Sequence, residues 1–184
     1  MPNSKEFEHY ISSKSIEDRI KLLGKQIAAD YQSKGITRII AVCVLTGAIP
    51  FYADLTRAIS NASKDELDIR YDLVRVKSSR GESSSGLIDV VYGPENDPKQ
   101  EHILIVDDIA DTRLTTHKLV NLFTEKDAAS VKTAVLLNKE SRKLHDATLD
   151  YTGFDISYRW VIGYGLDSGG VGRALSYIAA RKDT

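Results

Sequence analysis

The sequence predicts a single α/β domain in which a central, mainly parallel, twisted sheet is flanked by helices. Short apolar runs at 38–45, 103–106 and 131–138 alternate with stretches in which apolar residues recur at helical spacing. Strands that alternate with helices in this way are typical of βαβ units and of a parallel sheet. The length of 184 residues, 42% of them hydrophobic, suits one domain with its own core.

The first part of the chain predicts a polar terminus followed by helix, strand, helix and strand. Residues 1–14 are polar, and we expect them to be loosely held. A helix is predicted over 16–33, where apolar residues recur every three or four positions. The run at 38–45 predicts a buried strand, and a tight turn leads from it to a helix over about 50–60. The alternating pattern at 67–76 predicts the next strand.

The second part begins with the most loop-like stretch of the chain. Residues 77–86 contain two glycines and five serines, which favours a mobile loop. That loop is either a solvated hairpin or a lid that closes over a reactive intermediate. Strands are predicted at 86–93, 103–106 and 131–138, with a helix over about 115–125. Short strands are also predicted at 151–156 and 159–164, followed by a glycine-rich loop at 163–173 and a terminal strand or turn at 175–180.

Acidic and hydroxyl side chains follow the strand predicted at 103–106. Asp107, Asp108 and Asp111 stand where the strand would end, and Thr112 and Thr115 lead into the next helix. Ligands of open α/β sheets bind at the carboxyl ends of strands, and a helix N-terminus favours anions. Carboxylates suit sugar hydroxyls and Mg²⁺. The stretch therefore predicts a site for a phosphorylated sugar.

Composition excludes several other classes of partner. The formal net charge is −1 and the basic residues are spread along the chain, so we expect no nucleic-acid partner. No apolar stretch approaches the roughly 20 residues of a membrane span, and the N-terminal residues lack the apolar region of a signal peptide. The single cysteine, Cys43, lies in an apolar run and reads as a core residue rather than a catalytic thiol. We therefore expect a cytoplasmic protein without a membrane partner.

Five segments carry a resemblance to a known family. Residues 106–119, VDDIADTRLTTHKL, resemble the phosphoribosyl-diphosphate signature of type I phosphoribosyltransferases. The other four segments occur in family order and resemble the hypoxanthine-guanine members. Residues 44–59 resemble their first strand–loop–helix, and 75–86 resemble their mobile loop. Residues 135–142 resemble their lysine segment, and 151–167 resemble their purine hood. The resemblance implies the type I fold with a small hood, to which 150–180 contribute, over the purine site. It also implies transfer of 5-phosphoribosyl from phosphoribosyl diphosphate to hypoxanthine or guanine, giving IMP or GMP and pyrophosphate.

The resemblance assigns roles on the phosphoribosyl side. Asp107, Asp108 and Asp167 would place Mg²⁺, with the first two also holding the ribose hydroxyls. Asp111 would be the general base for the purine nitrogen proton, the alternative being an aspartate that only caps a turn. The residues implied in binding the phosphoribosyl group are Asp107, Asp108, Ala110, Asp111, Thr112, Arg113, Leu114 and Thr115.

The resemblance also assigns the pyrophosphate and purine sides. Pyrophosphate would be bound by two turn residues, three mobile-loop residues and one arginine: Thr46, Gly47, Ser78, Ser79, Arg80 and Arg173. Lys139 would donate to the 6-oxo group, Trp160 would stack on the purine, and Val161 and Asp167 would line its edge. Without the resemblance, Lys139 would simply end a strand in solvent, and Trp160 would belong to the core.

Three positions depart from the family pattern. Arg113 stands where the signature usually has glycine, so its side chain either points outward or adds a charge to the phosphate. Thr46 replaces the usual Lys or Arg of the pyrophosphate loop, and Arg80 replaces a Tyr of the mobile loop. Together these changes point to altered kinetics or substrate preference.

Two alternative functions compete with the enzyme. The first is a non-catalytic regulator that senses nucleotides on the same fold, although Asp111 and Lys139 are both present and the net charge is near neutral. The second is a phosphoribosyl-diphosphate synthetase, whose longer chain pairs two similar domains; this chain has no repeat. The resemblance suggests a homodimer or homotetramer. The sequence does not rank hypoxanthine, guanine and xanthine.

Overall fold

The computed structural model describes residues 6–78 and 88–182, and its architecture is two sheets with three helices. In chain order the elements are β1 (Phe7–Ile11), α1 (Ser13–Gln32), β2 (Arg38–Leu45), α2 (Ile49–Ser63), β3 (Asp68–Ser78), β4 (Ile88–Tyr92), β5 (His102–Ala110), α3 (Leu114–Glu125), β6 (Ser130–Asn138), β7 (Tyr151–Asp155), β8 (Val161–Ile162) and β9 (Ile178–Arg181). A short 3₁₀ turn at Glu140–Arg142 lies between β6 and β7.

The large sheet has the strand order β4-β3-β2-β5-β6-β7, and only the edge strand β4 is antiparallel to its neighbour. The chain moves from β2 to β3 in one direction and from β5 through β6 to β7 in the other. Because crossovers are right-handed, α2 and α3 cover opposite faces. The order reverses between β2 and β5, so their carboxyl ends border the crevice where ligands bind in such sheets. The predicted mainly parallel α/β sheet is confirmed.

The centre of the sheet is buried on both faces. All of the residues from Ile39 to Val44 in β2 are at most 5% exposed, as are those from Ile103 to Val106 in β5. Continuous burial explains why these strands read as unbroken apolar runs instead of alternating patterns. On one face α1 packs on α2 and presents Ile16, Leu23 and Ile27 to the core.

β5 is longer than the predicted strand at 103–106. It continues to Ala110 because Asp107 pairs with Val135 of β6 and Ala110 pairs with Asn138. Asp107 and Asp108, predicted to follow the strand, therefore lie in its C-terminal half, and Asp111 follows it directly. The pairing with β2 ends at Val106, so the pairing with β6 is what holds the backbone of Asp107 in register.

Of the segment 1–14, expected to be loosely held, residues 1–5 lie outside the described residues, and the rest differs from the expectation. Phe7–Ile11 forms β1, which pairs antiparallel with β9 in a small sheet of order β1-β9-β8. The hydrogen bonds come from a strand about 170 residues away, so local sequence could not reveal them. Immediately afterwards, the Ser12 hydroxyl accepts from the Ser15 amide at 3.0 Å and starts α1 at Ser13, three residues before the prediction.

In the described part of the chain, no helix combines the length and apolar character needed to cross a membrane.

Candidate active site

Two acids, Asp107 and Asp108, lie in the C-terminal half of β5 beside the crevice. Asp107 is only 7% exposed, and its Oδ1 accepts from the Asp108 amide at 2.9 Å. Burial raises the pKa of Asp107 well above its usual range, and the charge of Asp108 adds to the effect. Burial also raises the pKa of Asp108, although hydrogen bonds and the positive charge of Arg173 oppose the shift. A cation or hydroxyl donor would relieve this buried acid pair.

Cys43 lies in β2 near the same acids. Burial, followed by the charges of Asp107 and Asp108, raises the pKa of its thiol to about 12. A thiol that stays protonated is a poor nucleophile. The expectation that Cys43 is a core residue agrees with its 1% exposure.

The turn after β2 brings a third segment against the acids. The Leu45–Thr46 peptide bond is cis. A Cβ on Gly47 would lie 1.7 Å from Asp108 Oδ2, and a Cβ on Gly165 would lie 1.9 Å from the Gly47 carbonyl oxygen. Gly165 also has φ +101°, a conformation that L side chains rarely adopt. The turn, the acid pair and the glycine-rich loop therefore meet at contacts that leave no room for a side chain.

The loop between β5 and α3 has the geometry of an anion site. Arg113 begins α3 in the left-handed region (φ 63°, ψ 10°) and provides no side-chain cap for the helix. The first amides of a helix lack intrahelical partners. Here the Leu114 amide donates to Thr112 Oγ1 at 3.4 Å. The threonine-rich N-terminus of α3, with Thr115 in its first turn, therefore presents free donors and the positive end of the dipole.

The backbone of Arg113 has a conformation typical of glycine, and its side chain is buried. The residue is 8% exposed, and its guanidinium donates to Ala147 O at 3.1 Å and Asn138 Oδ1 at 3.2 Å. It also forms an ion pair with Glu140. The outward-pointing side chain allowed for in the sequence analysis is therefore not what the structure shows.

Asp111 faces two cations from the segment after β6. Arg142 Nε donates to Asp111 Oδ1 at 2.9 Å, and Lys139 Nζ lies 3.9 Å from Asp111 Oδ2. Lys139 is 6% exposed, so it does not end the strand in solvent. Burial lowers the pKa of Lys139, and the charge of Asp111 opposes the shift. The carboxylate of Asp111 is directed at these side chains, unlike that of a residue that only caps a turn.

Two exposed aromatic side chains lie between β7 and β8. Tyr158 contacts the cluster, whereas Trp160 lines a pocket with Phe7, Ser168 and Arg181. Trp160, just before β8, is 56% exposed and so is not the core residue that its apolar context suggests. The next residue, Val161, is buried and pairs with Ala180 of β9. Tyr158 is 66% exposed, with its ring centroid 4.9 Å from Arg142 Cζ.

Sequence reasoning missed Arg142 and Tyr158 as site residues. Lys139 Nζ also lies over the Tyr158 ring, 5.9 Å from its centroid. Arg142 could have been found, because it follows Lys139 by three residues in the segment that carries the family resemblance. Tyr158 lies in the segment 151–167 that resembles the purine hood, but only the fold shows that it contacts the β6–β7 connection.

The glycine-rich loop is closed by an ion pair. Arg173 Nη2 lies 2.5 Å from Asp167 Oδ1, and its Nη1 donates to Gly165 O at 2.7 Å. The other carboxylate oxygen of Asp167 accepts from the Gly170 amide at 2.6 Å. Among the described residues no three His, Cys, Asp or Glu side chains converge on one point. Asp167 therefore does not complete a protein-only metal site with the buried acid pair.

The remaining predicted residues fall at or beyond the limits of the described chain. Ser78 is the last residue of β3, and Ser79 and Arg80 lie outside the described residues, as does most of the mobile loop predicted at 77–86. A cavity of about 670 Å³ lies between α1 and α2, but none of the predicted site residues lines it. We therefore locate the candidate site by the side chains gathered at the strand ends.

Comparison with known proteins agrees with this geometry. The family model described as the phosphoribosyl transferase domain matches residues 12–169. Over 174 residues the chain is 38% identical to the hypoxanthine-guanine phosphoribosyltransferase of Streptococcus pneumoniae, covering 94% of this chain and 92% of the relative. The chain belongs to the hypoxanthine-guanine phosphoribosyltransferase family. The corresponding enzyme of Bacillus subtilis is 36% identical over 175 residues, with 94% and 91% covered.

Solved structures of this phosphoribosyltransferase family share the fold. The hypoxanthine phosphoribosyltransferase of Trypanosoma cruzi, in complex with the product IMP, superposes with a TM-score of 0.89 at 32% identity, covering 99% of this chain and 97% of that one. A Bacillus anthracis member with HEPES in its active site gives a TM-score of 0.85 at 28% identity, with 94% and 97% covered. The predicted type I phosphoribosyltransferase fold is confirmed.

Proposed function

We propose that this chain transfers 5-phosphoribosyl from phosphoribosyl diphosphate to hypoxanthine or guanine in purine salvage, giving IMP or GMP and pyrophosphate. The observation that carries the proposal is the meeting of three features at the carboxyl ends of β5 and β6. These are the acid pair of buried Asp107 and half-buried Asp108, the N-terminus of α3, and Asp111 between Lys139 and Arg142. Relatives named for this activity match nearly the whole chain.

On the phosphoribosyl side, we assign the ribose hydroxyls and Mg²⁺ to Asp107 and Asp108. Mg²⁺ prefers oxygen ligands and is commonly bound by one or two carboxylates together with substrate phosphates. The buried pair, with both pKa values raised, fits such an ion. Bound Mg²⁺ would supply positive charge against the growing negative charge of pyrophosphate. The amides and hydroxyls of 112–115 would cradle the 5-phosphate.

On the pyrophosphate side, we assign the Thr46–Gly47 turn and Arg173. The turn lacks the cation that the family pattern usually provides, so Arg173 is the remaining described cation of this assignment. Its planar fork suits phosphate oxygens. Both carboxylate oxygens of Asp167 are engaged, one by Arg173 and the other by the Gly170 amide. We therefore propose that Asp167 orients Arg173. It would contact Mg²⁺ or the purine edge only after giving up its contact with Arg173.

On the purine side, Lys139 would donate to the 6-oxo group while Trp160 stacks on the ring and Val161 offers main-chain groups. As the purine nitrogen bonds to the anomeric carbon, the bond from that carbon to the pyrophosphate oxygen breaks. The nitrogen proton passes to the carboxylate of Asp111. General-base catalysis of this kind contributes typically 10²- to 10⁴-fold. The hydrogen bond from Arg142 would hold that carboxylate towards the purine side.

A steady-state assay with adenine, hypoxanthine, guanine and xanthine, with and without Mg²⁺, tests this function. We expect turnover of hypoxanthine and guanine, none of adenine, and loss of turnover when EDTA removes the metal. Failure to convert any of the four bases, with IMP or GMP still bound, would favour the nucleotide-sensing regulator instead.

We further propose that the protein acts in the cytoplasm as a homodimer or homotetramer. Tyr71, Leu73 and Tyr92 are each at least 39% exposed on one face of the β3–β4 edge, which supports self-association. The buried, unpaired Cys43 suits a reducing compartment. Sedimentation equilibrium tests the assembly, and a monomer at micromolar concentration would contradict it.

A further inference from the structure

The side chain of Arg113 leaves the proposed phosphate loop, residues 112–115, and contacts another segment of the chain. Its backbone adopts φ 63°, a conformation that glycine adopts freely and other residues rarely. An arginine held there and 8% exposed must gain from its contacts. Those contacts lie on the opposite side of the site, in the connection between β6 and β7.

The guanidinium meets that connection at three separate places. It donates to Asn138 Oδ1 at the end of β6, pairs with Glu140 in the 3₁₀ turn, and donates to the carbonyl of Ala147 seven residues later. Asn138 Nδ2 in turn donates to Asp155 Oδ1 at 2.7 Å, which extends the network to the end of β7. One planar fork therefore ties the start of α3 to the whole width of the connection.

The main chain joins the same two segments in parallel. The Thr112 carbonyl accepts from the amides of Leu144 and His145, each at 3.2 Å, and the Lys139 amide donates to Ala110 O at 3.0 Å. These bonds do not depend on the side chain at 113. Replacing Arg113 would therefore remove the ties at 138, 140 and 147 while leaving the backbone ties of the phosphate loop in place.

We propose that Arg113 is a positioning residue that fixes the purine-side groups Lys139 and Arg142 relative to the 5-phosphate loop. Both groups lie on the stretch that the guanidinium holds, between Asn138 and Ala147. Arg113 itself acts on the connection and not on the substrate. The proposal rests on the proposed function, because it assumes that Lys139 faces the purine.

Arg113→Gly tests the proposal, since glycine keeps the φ of 63° without strain. We expect the KM for hypoxanthine to rise about fivefold or more while the KM for phosphoribosyl diphosphate stays within about twofold. Arg113→Lys, which keeps a charge near Glu140 but loses the fork, should give an intermediate KM for hypoxanthine. Glu140→Gln, which removes the ion pair alone, should change that KM in the same direction by a smaller factor.

Lys143→Ala is the matched control, because it removes an exposed ion pair with Asp146 from the same connection and does not touch Arg113. Both KM values should stay within about twofold of the parent. Equal rises of both KM values in Arg113→Gly, or no rise in either, would overturn the proposal. If Arg113→Gly fails to fold, Arg113→Lys and Glu140→Gln test the proposal in its place, through the change in KM for hypoxanthine relative to that for phosphoribosyl diphosphate.

The parent enzyme separates this proposal from the proposed function. If the parent turns over no 6-oxopurine, the proposed function fails, and the positioning role is then judged by equilibrium binding of IMP and of ribose 5-phosphate to the same variants. Weaker binding of IMP with unchanged binding of ribose 5-phosphate in Arg113→Gly would still support it. Unchanged binding of both ligands would overturn it.

Discussion

Substituting Gly165 by alanine tests how closely the glycine-rich loop is set against the turn after β2. The new Cβ would lie 1.9 Å from the carbonyl oxygen of Gly47, more than 1 Å inside the 3.0 Å below which real contacts essentially do not occur. The neighbouring atom belongs to the backbone, so the turn itself must move. Overpacking of this kind costs typically about 1–3 kcal/mol. The φ of +101° adds a conformational cost of about 1–3 kcal/mol.

Together these costs lower the free energy of unfolding by about 2–6 kcal/mol. For a chain of this length, that corresponds to a fall in Tm of about 5–20 °C. Because the Thr46–Gly47 turn is assigned to pyrophosphate, we also expect the KM for phosphoribosyl diphosphate to rise more than the KM for hypoxanthine. Thermal unfolding followed by circular dichroism and a steady-state assay measure the two effects.

Gly170→Ala is the matched control in the same loop. Gly170 has φ +87°, and no atom lies within 4 Å of its added Cβ. It therefore bears only the conformational cost, about 1–3 kcal/mol. If the two variants lose the same stability and both KM values are unchanged, the loop is not in the close contact with Gly47 described above, and the reasoning is refuted.

Three further predictions concern the acids and the buried lysine. Asp111→Asn should lower kcat by at least about 100-fold with the fold intact by circular dichroism, and near-parental kcat would remove Asp111 as the base. Because burial lowers the pKa of Lys139 below the ordinary 10.5, hypoxanthine affinity should fall as pH rises through that lowered value. Lys139→Arg, which stays protonated, should move the fall to higher pH, and coincident profiles would contradict the assignment. Burial raises the pKa of Asp107, so the folded state holds this proton more tightly than the unfolded state does. Ligand-free stability should therefore decline as pH rises from 3.8 towards the raised pKa. Asp107→Asn should flatten that decline of stability and reduce the rise in Tm that Mg²⁺ and phosphoribosyl diphosphate produce together. If the pH dependence of stability and the rise in Tm are both unchanged, the role assigned to Asp107 is contradicted.

The large sheet could be predicted because the apolar composition of its central strands reflects their buried environment. The run at 38–45 coincides with β2, since burial on both faces demands continuous apolar residues. The small sheet was not predictable in the same way. Phe7–Ile11 is a strand only because β9 pairs with it, and no local pattern reports a partner at the far end of the chain.

For the site, residue type and order revealed which groups are present but not how they face one another. The acids of β5 could be placed near the crevice from the strand pattern alone. The burial of Lys139 and the exposure of Trp160 reversed what their local patterns favour, because tertiary packing decides both. The path of the Arg113 side chain depends on three acceptors spread over ten residues, which no spacing rule anticipates.

The pairing of β8 and β1 with β9 has a consequence for the order in which the molecule can fold during synthesis. The six-stranded sheet, with the acids of β5 and the start of α3, is complete in sequence once Asp155 has been made. The strand that follows Trp160 gains its neighbour only when Ile178–Arg181 has been added, and the first strand of the chain waits for that same partner. A protein that folds from its N-terminus during translation therefore assembles the acids of β5, the start of α3 and Lys139 first, and the Trp160–Val161 part of its base side last.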